Sequence, residues 1–431
     1  MNFVKNTVIT FSTQLITVIL GVITSIILAR TLGPANFGIY SIITLTITVL
    51  GTFGSLGIAI SNTYYGVKKE YKWNDIASNS FIAAFILGII LIISFLLVFF
   101  FYPSFLKNID TTLIIIATIT TPFTLLMPYF QYILLGQNRI KEFNFTNIIQ
   151  SVLYISLVIV ILFFNNSLQG VLSSWTVSFV IAAIIPVIFV YKSNPFKLHF
   201  NIDIFKKTTI FGLKGYLGNV IQFFNYRIDI FLISMILSNY ASVGYYSISV
   251  ALAESLWYLP SVVGTLVFAR TPGLTDEDKN RSTPIICRNT FFITLILSII
   301  LFITANYIIL ILYGPTYLPA VKPLWVLLPG VIALSVCKVL SNEIAGRGKP
   351  MINTYAAIIS LAVNIPLNLL FIPQLGIIGS ALASSIAYFV SAIIVLISFL
   401  KISGNSISDT LIIKKEDIEV LKGLLLEYTQ K

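Results

Sequence analysis

Ionisable side chains are rare within the long apolar runs of this chain, and almost all of them fall in its second half. Lys214, Arg227 and Asp229 stand in one run, Glu254 in the next and Lys338 in a third. A charge in such a run is costly unless it is paired or faces water, so each one marks a candidate site. Gly218, Gln222, Asn225 and Asp229 recur at spacings of four, three and four. On a helix they share one face with Gly215. In lipid such a stripe has no hydrogen-bond partners, so it must line a water-filled cavity or a polar seam against another helix. The cavity is the expectation.

Arg227 points away from that stripe. The run that holds it and the next run are joined by a short loop centred near Tyr240, with Arg227 thirteen residues before it and Glu254 fourteen after. At a rise of about 1.5 Å per residue the two reach the same depth. The spacing therefore fits an ion-pair clamp. The other reading leaves Arg227 to contact an anion and Glu254 to act as a titratable coupling group, with the coupling ion, H+ or Na+, not identified. Lys214 and Lys338 lie closer to the ends of their runs, where the long side chain can snorkel to the interface. In the first half only Arg30, at the end of the first run, is charged, and no Asp or Glu falls within a run.

Catalytic and cofactor patterns are missing. The sequence GRGKP at 346–350 lacks the spacing of a phosphate-binding loop and reads as a turn. No Walker, Ser–His–Asp or HExxH arrangement occurs. Cys287 and Cys337 have no metal or disulfide spacing, and the lone His199 lies in a polar loop. No enzyme activity, cofactor or metal site is expected.

The elements that must hold these residues are apolar runs of about 20 residues, the length that spans a bilayer. They fall near 8–29, 38–60, 80–101, 111–134, 146–164, 169–191, 208–237, 241–265, 290–313, 322–342, 351–372 and 376–400. Hydrophobic residues make up 57% of the chain and charged ones 10%, against about 25% charge in soluble domains. The fold class is therefore all-α and integral to the membrane. The first run is too long for a signal-peptide core and should remain as a span.

The net charge of +11 does not point to nucleic acid. Of the 27 basic residues, 21 lie at the N-terminus, in alternate loops and in the tail, and the intervening loops carry only Arg30, Lys107 and Lys322. That bias places both termini in the cytoplasm. The opposite loops, such as NNSLQ and PQLG, are too short for an outer domain. Beyond about residue 405 the tail is polar, with Ile418, Leu421, Leu425 and Tyr428 on one face of an expected amphipathic helix.

Two halves echo each other. Ala35, Gly38, Tyr40, Ser41 and Ile42 match Ala241, Gly244, Tyr246, Ser247 and Ile248 at an offset of 206. At an offset of 210, Gly136 matches Gly346, and Phe179, Val180, Ala182 and Ile184 match Phe389, Val390, Ala392 and Ile394. A duplicated six-span unit follows, and an even number of spans makes the repeats parallel. The expected organisation is an N-lobe at 1–191, a cytoplasmic linker at 192–207, a C-lobe at 208–400 and a cytoplasmic tail at 401–431.

The stretch SIILARTLGPANFGIYSI (25–42) resembles the first hairpin of polysaccharide-biosynthesis flippases. These belong to the multidrug/oligosaccharidyl-lipid/polysaccharide exporter superfamily. RIDIFLIS (227–234), ASVGYYSISVALAE (241–254), FAR (268–270), GPTYLPAVKPLW (314–325) and LGIIGSALASSIAYFV (375–390) continue the resemblance in order. It departs at Ala269, where relatives often carry proline, and at Ser55–Gly57, where an acidic residue is missing. The resemblance implies a MATE-like pair of six-helix lobes around a cavity that opens alternately to either side. It implies movement of an undecaprenyl-pyrophosphate-linked oligosaccharide from the inner to the outer leaflet of the bacterial plasma membrane, for capsule, O-antigen or exopolysaccharide synthesis. It also implies contact with membrane lipids, with a polymerase and glycosyltransferases of the same pathway as candidate partners, and a monomer is expected. Arg30 matches the arginine of the family's ARxLG pattern, placed at the cavity, and Lys214, Gly218, Gln222, Asn225, Arg227, Asp229 and Glu254 complete the candidate substrate-cavity set. The alternative is a cation-coupled multidrug antiporter of the same fold, which would usually carry an acidic site in its first half.

Overall fold

In a membrane every backbone N–H and C=O must be satisfied within the segment, and the apolar runs all satisfy them as helices. The computed structural model describes residues 2–102, 106–164, 167–414 and 417, without the side chains of residues 2–8, 214 and 215. In chain order the helices are α1 (Asn2–Gly54), α2 (Ile58–Val67), α3 (Trp73–Phe101), α4 (Thr111–Thr118) and α5 (Thr121–Gly136). Then come α6 (Ile140–Phe164), α7 (Leu168–Ser193), α8 (Ile202–Leu237), α9 (Tyr240–Ser255) and α10 (Tyr258–Arg270). The last are α11 (Asp276–Leu312), α12 (Val321–Gly346), α13 (Met351–Leu375), α14 (Ile377–Ser403) and the short α15 (Ile407–Leu411). No strand occurs among the described residues.

Among the described residues, ten helical segments are long and apolar enough to cross a membrane, and α9 with the segment Tyr258–Gly273, bent by 46°, makes an eleventh. The first of the ten, Ile9–Gly54, is 46 residues long. It is interrupted at Gly33, whose φ of 72° and ψ of 170° leave the helical region just before Pro34. A left-handed glycine followed by a residue without an N–H breaks the hydrogen-bond ladder. Counted as two segments, α1 brings the total to the twelve crossings expected. Large apolar side chains remain outside, as on a lipid-facing surface: Phe101, Phe163 and Ile303 are all exposed.

The chain divides into two compact units. Unit 1 comprises Met1–Val220 and Ser238–Gly244, and unit 2 comprises Ile221–Leu237 and Tyr245–Lys431. Helix α8 is thus shared, and it starts at Ile202, six residues ahead of the expected span. Within unit 1 the core is built from α2, α3, α5 and α7, around Ile76, Tyr129, Phe130 and Ala183. Elsewhere in unit 1, Gly38 on α1 and Gly244 on α9, the paired glycines of the sequence echo, meet. A Cβ on Gly38 would overlap the Tyr240 carbonyl, and one on Gly244 would overlap the Pro34 carbonyl. Close backbone approach explains why both copies of the motif keep glycine at this position.

The segment 346–350 is the expected turn, with Gly348 at a φ of 80°. The amphipathic face at Ile418–Tyr428 lies outside the described residues. What precedes it docks on unit 2. Asp417 and Arg288 form a buried bidentate pair at 2.5 and 2.7 Å, and Arg288 also donates to the Asp409 carbonyl at 3.0 Å.

Candidate functional site

The matched-depth count is met. Arg227 on α8 donates through both terminal nitrogens to the two carboxylate oxygens of Glu254 on α9, at 2.8 and 2.9 Å. The two side chains keep 29% and 21% of their surface accessible. Two parallel N–H···O bonds use the planar fork of arginine in full.

Around this pair unit 2 gathers aromatic rings. Tyr226, Trp257 and Tyr388 lie with mutual ring-centroid distances of 5.0, 5.8 and 5.5 Å. The Lys338 ammonium sits 4.9 Å from the centre of the Trp257 ring and 5.6 Å from that of Tyr226. Lys338 therefore does not snorkel. Its cation is drawn to the negative faces of two rings, which sequence spacing within α12 alone could not indicate. No carboxylate among the described residues closes an ion pair with it, although Glu254 is within electrostatic reach. The indole Nε1 of Trp257 is a buried donor with no hydrogen-bond partner among the described residues. The cluster thus offers a guanidinium, an ammonium and an idle N–H.

The polar stripe of α8 behaves differently from expectation. Asn225 and Asp229 are fully buried, facing a seam inside unit 2 and not an open wall. The Asp229 carboxylate accepts from the Tyr246 hydroxyl at 2.6 Å, the Ser384 hydroxyl at 3.1 Å and the Ile230 N–H at 2.8 Å. Asn225 donates to Ser360 at 2.8 Å, and its carbonyl accepts from Asn364 at 3.0 Å. The chain of bonds continues through Asn368, which donates to Asn364 at 2.6 Å, to Ser380, which donates to Asn368 at 2.6 Å. The neighbours α13 and α14 bring serine and asparagine to the same depth, so the stripe finds protein partners in place of water. Gln222 and Gly218 are half-buried. Arg30 is exposed and belongs to unit 1. The Lys214 side chain lies outside the described residues.

A second concavity was not expected from the sequence. Unit 1 holds a cavity of about 340 Å³. Thr48 and Thr52 line it from the second half of α1, Ser55 from the turn that follows, and Trp175 and Phe179 from α7. Thr124 and Tyr132 on α5 and Tyr216 and Asn219 on α8 add further polar groups, and no charged residue is among the described lining. Hydroxyls and aromatics are common in membrane helices, so nothing in a linear reading marks these as a set.

Comparison with known proteins sets this geometry in context. Residues 3–268 match the family described as polysaccharide biosynthesis protein, and the chain belongs to that family. A candidate O-antigen transporter of Shigella flexneri is 23% identical over 410 residues, covering 91% of this chain and 97% of that protein. An uncharacterised membrane protein of Methanocaldococcus jannaschii is 28% identical over 154 residues. That match covers 35% of this chain and only 30% of the relative's length. Among solved structures, an inward-closed conformation of the lipid II flippase MurJ superposes with a TM-score of 0.78 at 18% identity, covering 91% of this chain and 89% of that one. An inward-facing multidrug MATE transporter superposes with a TM-score of 0.76 at 15% identity, covering 90% and 95%. At such identities the two structures establish the fold, which is the two-lobe transporter fold of their superfamily.

Proposed function

We propose that this protein flips an undecaprenyl-pyrophosphate-linked oligosaccharide across the bacterial plasma membrane by alternating access, for synthesis of a surface polysaccharide. In this reading residues 1–191 and 208–400 act as the two lobes, joined by 192–207, with both termini cytoplasmic. Family membership supports the pathway class, and the naming of the Shigella relative and of MurJ supports a lipid-linked cargo.

The observation that carries the reading is the donor cluster of unit 2. A pyrophosphate is rich in acceptors and offers few donors. Arg227, Lys338 and the unpartnered Trp257 Nε1 are all donors. Glu254 occupies the arginine fork as a carboxylate, the same planar acceptor geometry that a phosphate presents. When the anionic head takes the fork, Glu254 would be left without its cation, and Lys338 is the neighbouring cation able to receive it. Partner exchange of this kind lets Arg227 bind without stranding a charge. Arg30, Lys214, Gly218 and Gln222 remain proposed cavity residues, while Asn225 and Asp229 act in this conformation through the seam. The drug-antiporter reading gains nothing from unit 1, where no acidic group is among the described cavity lining.

Arg227→Lys tests the reading. Lysine keeps the charge opposite Glu254 but cannot form the bidentate fork. In cells deleted for the gene, this variant should reach near-normal membrane level and lose most polymer export. Lys338→Gln should lower export at normal level as well. Normal export from both variants would contradict the assignment.

A further inference from the structure

The described lining of the unit 1 cavity is uncharged and rich in hydroxyls, which is the chemistry of a polyol site. Its threonines have already used their protons. Thr48 Oγ1 donates to the Thr44 carbonyl at 2.8 Å, Thr52 Oγ1 to the Thr48 carbonyl at 2.8 Å, and Thr124 Oγ1 to the Thr121 carbonyl at 2.7 Å. A hydroxyl that donates to its own helix keeps lone pairs for a ligand and has no second proton to give. These groups therefore face the cavity as acceptors. Asn219, Tyr132 and Tyr216 add donors to the same lining, so a neutral ligand that carries many O–H groups finds acceptors and donors together. Trp175 and Phe179 supply ring faces for the apolar C–H side of a pyranose.

Size and wall stiffness agree. The volume of about 340 Å³ lies at the lower end of small-ligand sites. Trp175 is 7% exposed and held in place, with its ring 5.6 Å from that of Phe179 and tilted by 58° against it. On the helix opposite, a Cβ on Gly51 would collide with the Thr124 side chain, so α1 and α5 approach closely beside the cavity. The wall is preformed, and binding would cost little ordering.

We infer that the unit 1 cavity is a subsite for one neutral sugar ring, held by the threonine hydroxyls of α1 and α5 against the Trp175 ring. The inference rests on the flippase reading and adds to it where the saccharide is recognised.

The test uses the full-length protein in nanodiscs and two probes, undecaprenyl pyrophosphate and the same lipid bearing one neutral N-acetylhexosamine. Binding of each is measured to the wild type, to Thr52→Val/Thr124→Val and to Trp175→Phe. The valine variants keep the side-chain shape, and Trp175→Phe keeps an aromatic wall, so at least one variant should fold. Each variant's affinity for the sugar-free lipid serves as its own baseline. Relative to that baseline, the sugar-bearing lipid should lose about tenfold in affinity, the factor expected for one lost side-chain contact. Equal shifts for both lipids, or no shift in any variant, would overturn the subsite. A wild type that binds neither lipid would overturn the flippase reading instead, a result distinguishable from loss of the sugar preference alone.

Discussion

Unit 1 and unit 2 build opposite polar chemistries with the same kind of helix. In unit 2 the polar groups of the Arg227 cluster are donors: a guanidinium, an ammonium and an unpartnered indole N–H. In unit 1 the threonine hydroxyls of the cavity are acceptors, with their protons spent on the backbone, and no charged residue is among its described lining. A lipid-linked saccharide has both needs, an acceptor-rich head and a donor-rich sugar. The contrast teaches that burying charge and burying hydroxyls are separate tasks. The first needs a partner for every ion, and the second only a helix whose own carbonyls take the proton.

The largest effect should come from the charged side. Arg227→Ala leaves Glu254 without its cation, and loss of about 3 kcal/mol of stability is expected, near the lower limit for buried pairs because both groups keep some water. Glu254→Gln in the same chain should restore part of it. Thermal melting of the purified protein measures both, and equal melting of all three forms would break the clamp.

Asp229→Ala should cost about 2 kcal/mol, because the buried hydroxyls of Tyr246 and Ser384 lose their acceptor. Thiol labelling sharpens the same contrast. Cysteine at Asn225, sealed in the seam, should resist a water-soluble maleimide, whereas cysteine at Thr48, exposed at the unit 1 cavity, should react. The reverse pattern would return the α8 stripe to an open wall and take the cavity from unit 1.

A smaller effect is expected at Asp417, an ion-pair member of unit 2 outside the donor cluster. The Arg288 guanidinium holds its carboxyl below the usual range. A depressed carboxylate stabilises above its unfolded value, about 3.9, and loses that contribution as pH falls through the lower folded value. The tail should therefore stay docked at neutral pH and loosen only in acid below about pH 4. Asp417→Asn should loosen it at neutral pH, seen as faster proteolysis near residue 414. Export should be unchanged, and a loss of export at normal level would extend the functional region of unit 2 to the tail.

Much of unit 2 was legible before the structure. Counting residues from Tyr240 found the Arg227–Glu254 pair, because helix rise is constant and charges inside apolar runs are few. The α8 stripe was legible as polar, but its destination was not. Whether Asn225 meets water or Ser360 depends on which helix packs alongside, and residue spacing in one helix does not encode that. Lys338 escaped for the same reason, since its rings come from α8 and from the turn between α9 and α10. The unit 1 cavity left no trace in the sequence, because threonine and tryptophan within an apolar run carry no penalty that would single them out. The broken α1 was legible only as two runs. Gly33 and Pro34 explain why one continuous helical trace holds both.

The central claim, that unit 2 holds the anionic head, is tested most directly with sugar-free undecaprenyl pyrophosphate and the charge-neutral pair Arg227→Gln/Glu254→Gln. That double variant removes the fork without leaving an unpaired ion, so the fold should survive. Its affinity for the lipid should fall by at least about tenfold, one charge-assisted contact or more, while Thr52→Val/Thr124→Val binds the same lipid as the wild type does. Unchanged binding by the neutral pair, at normal melting temperature, would contradict the account.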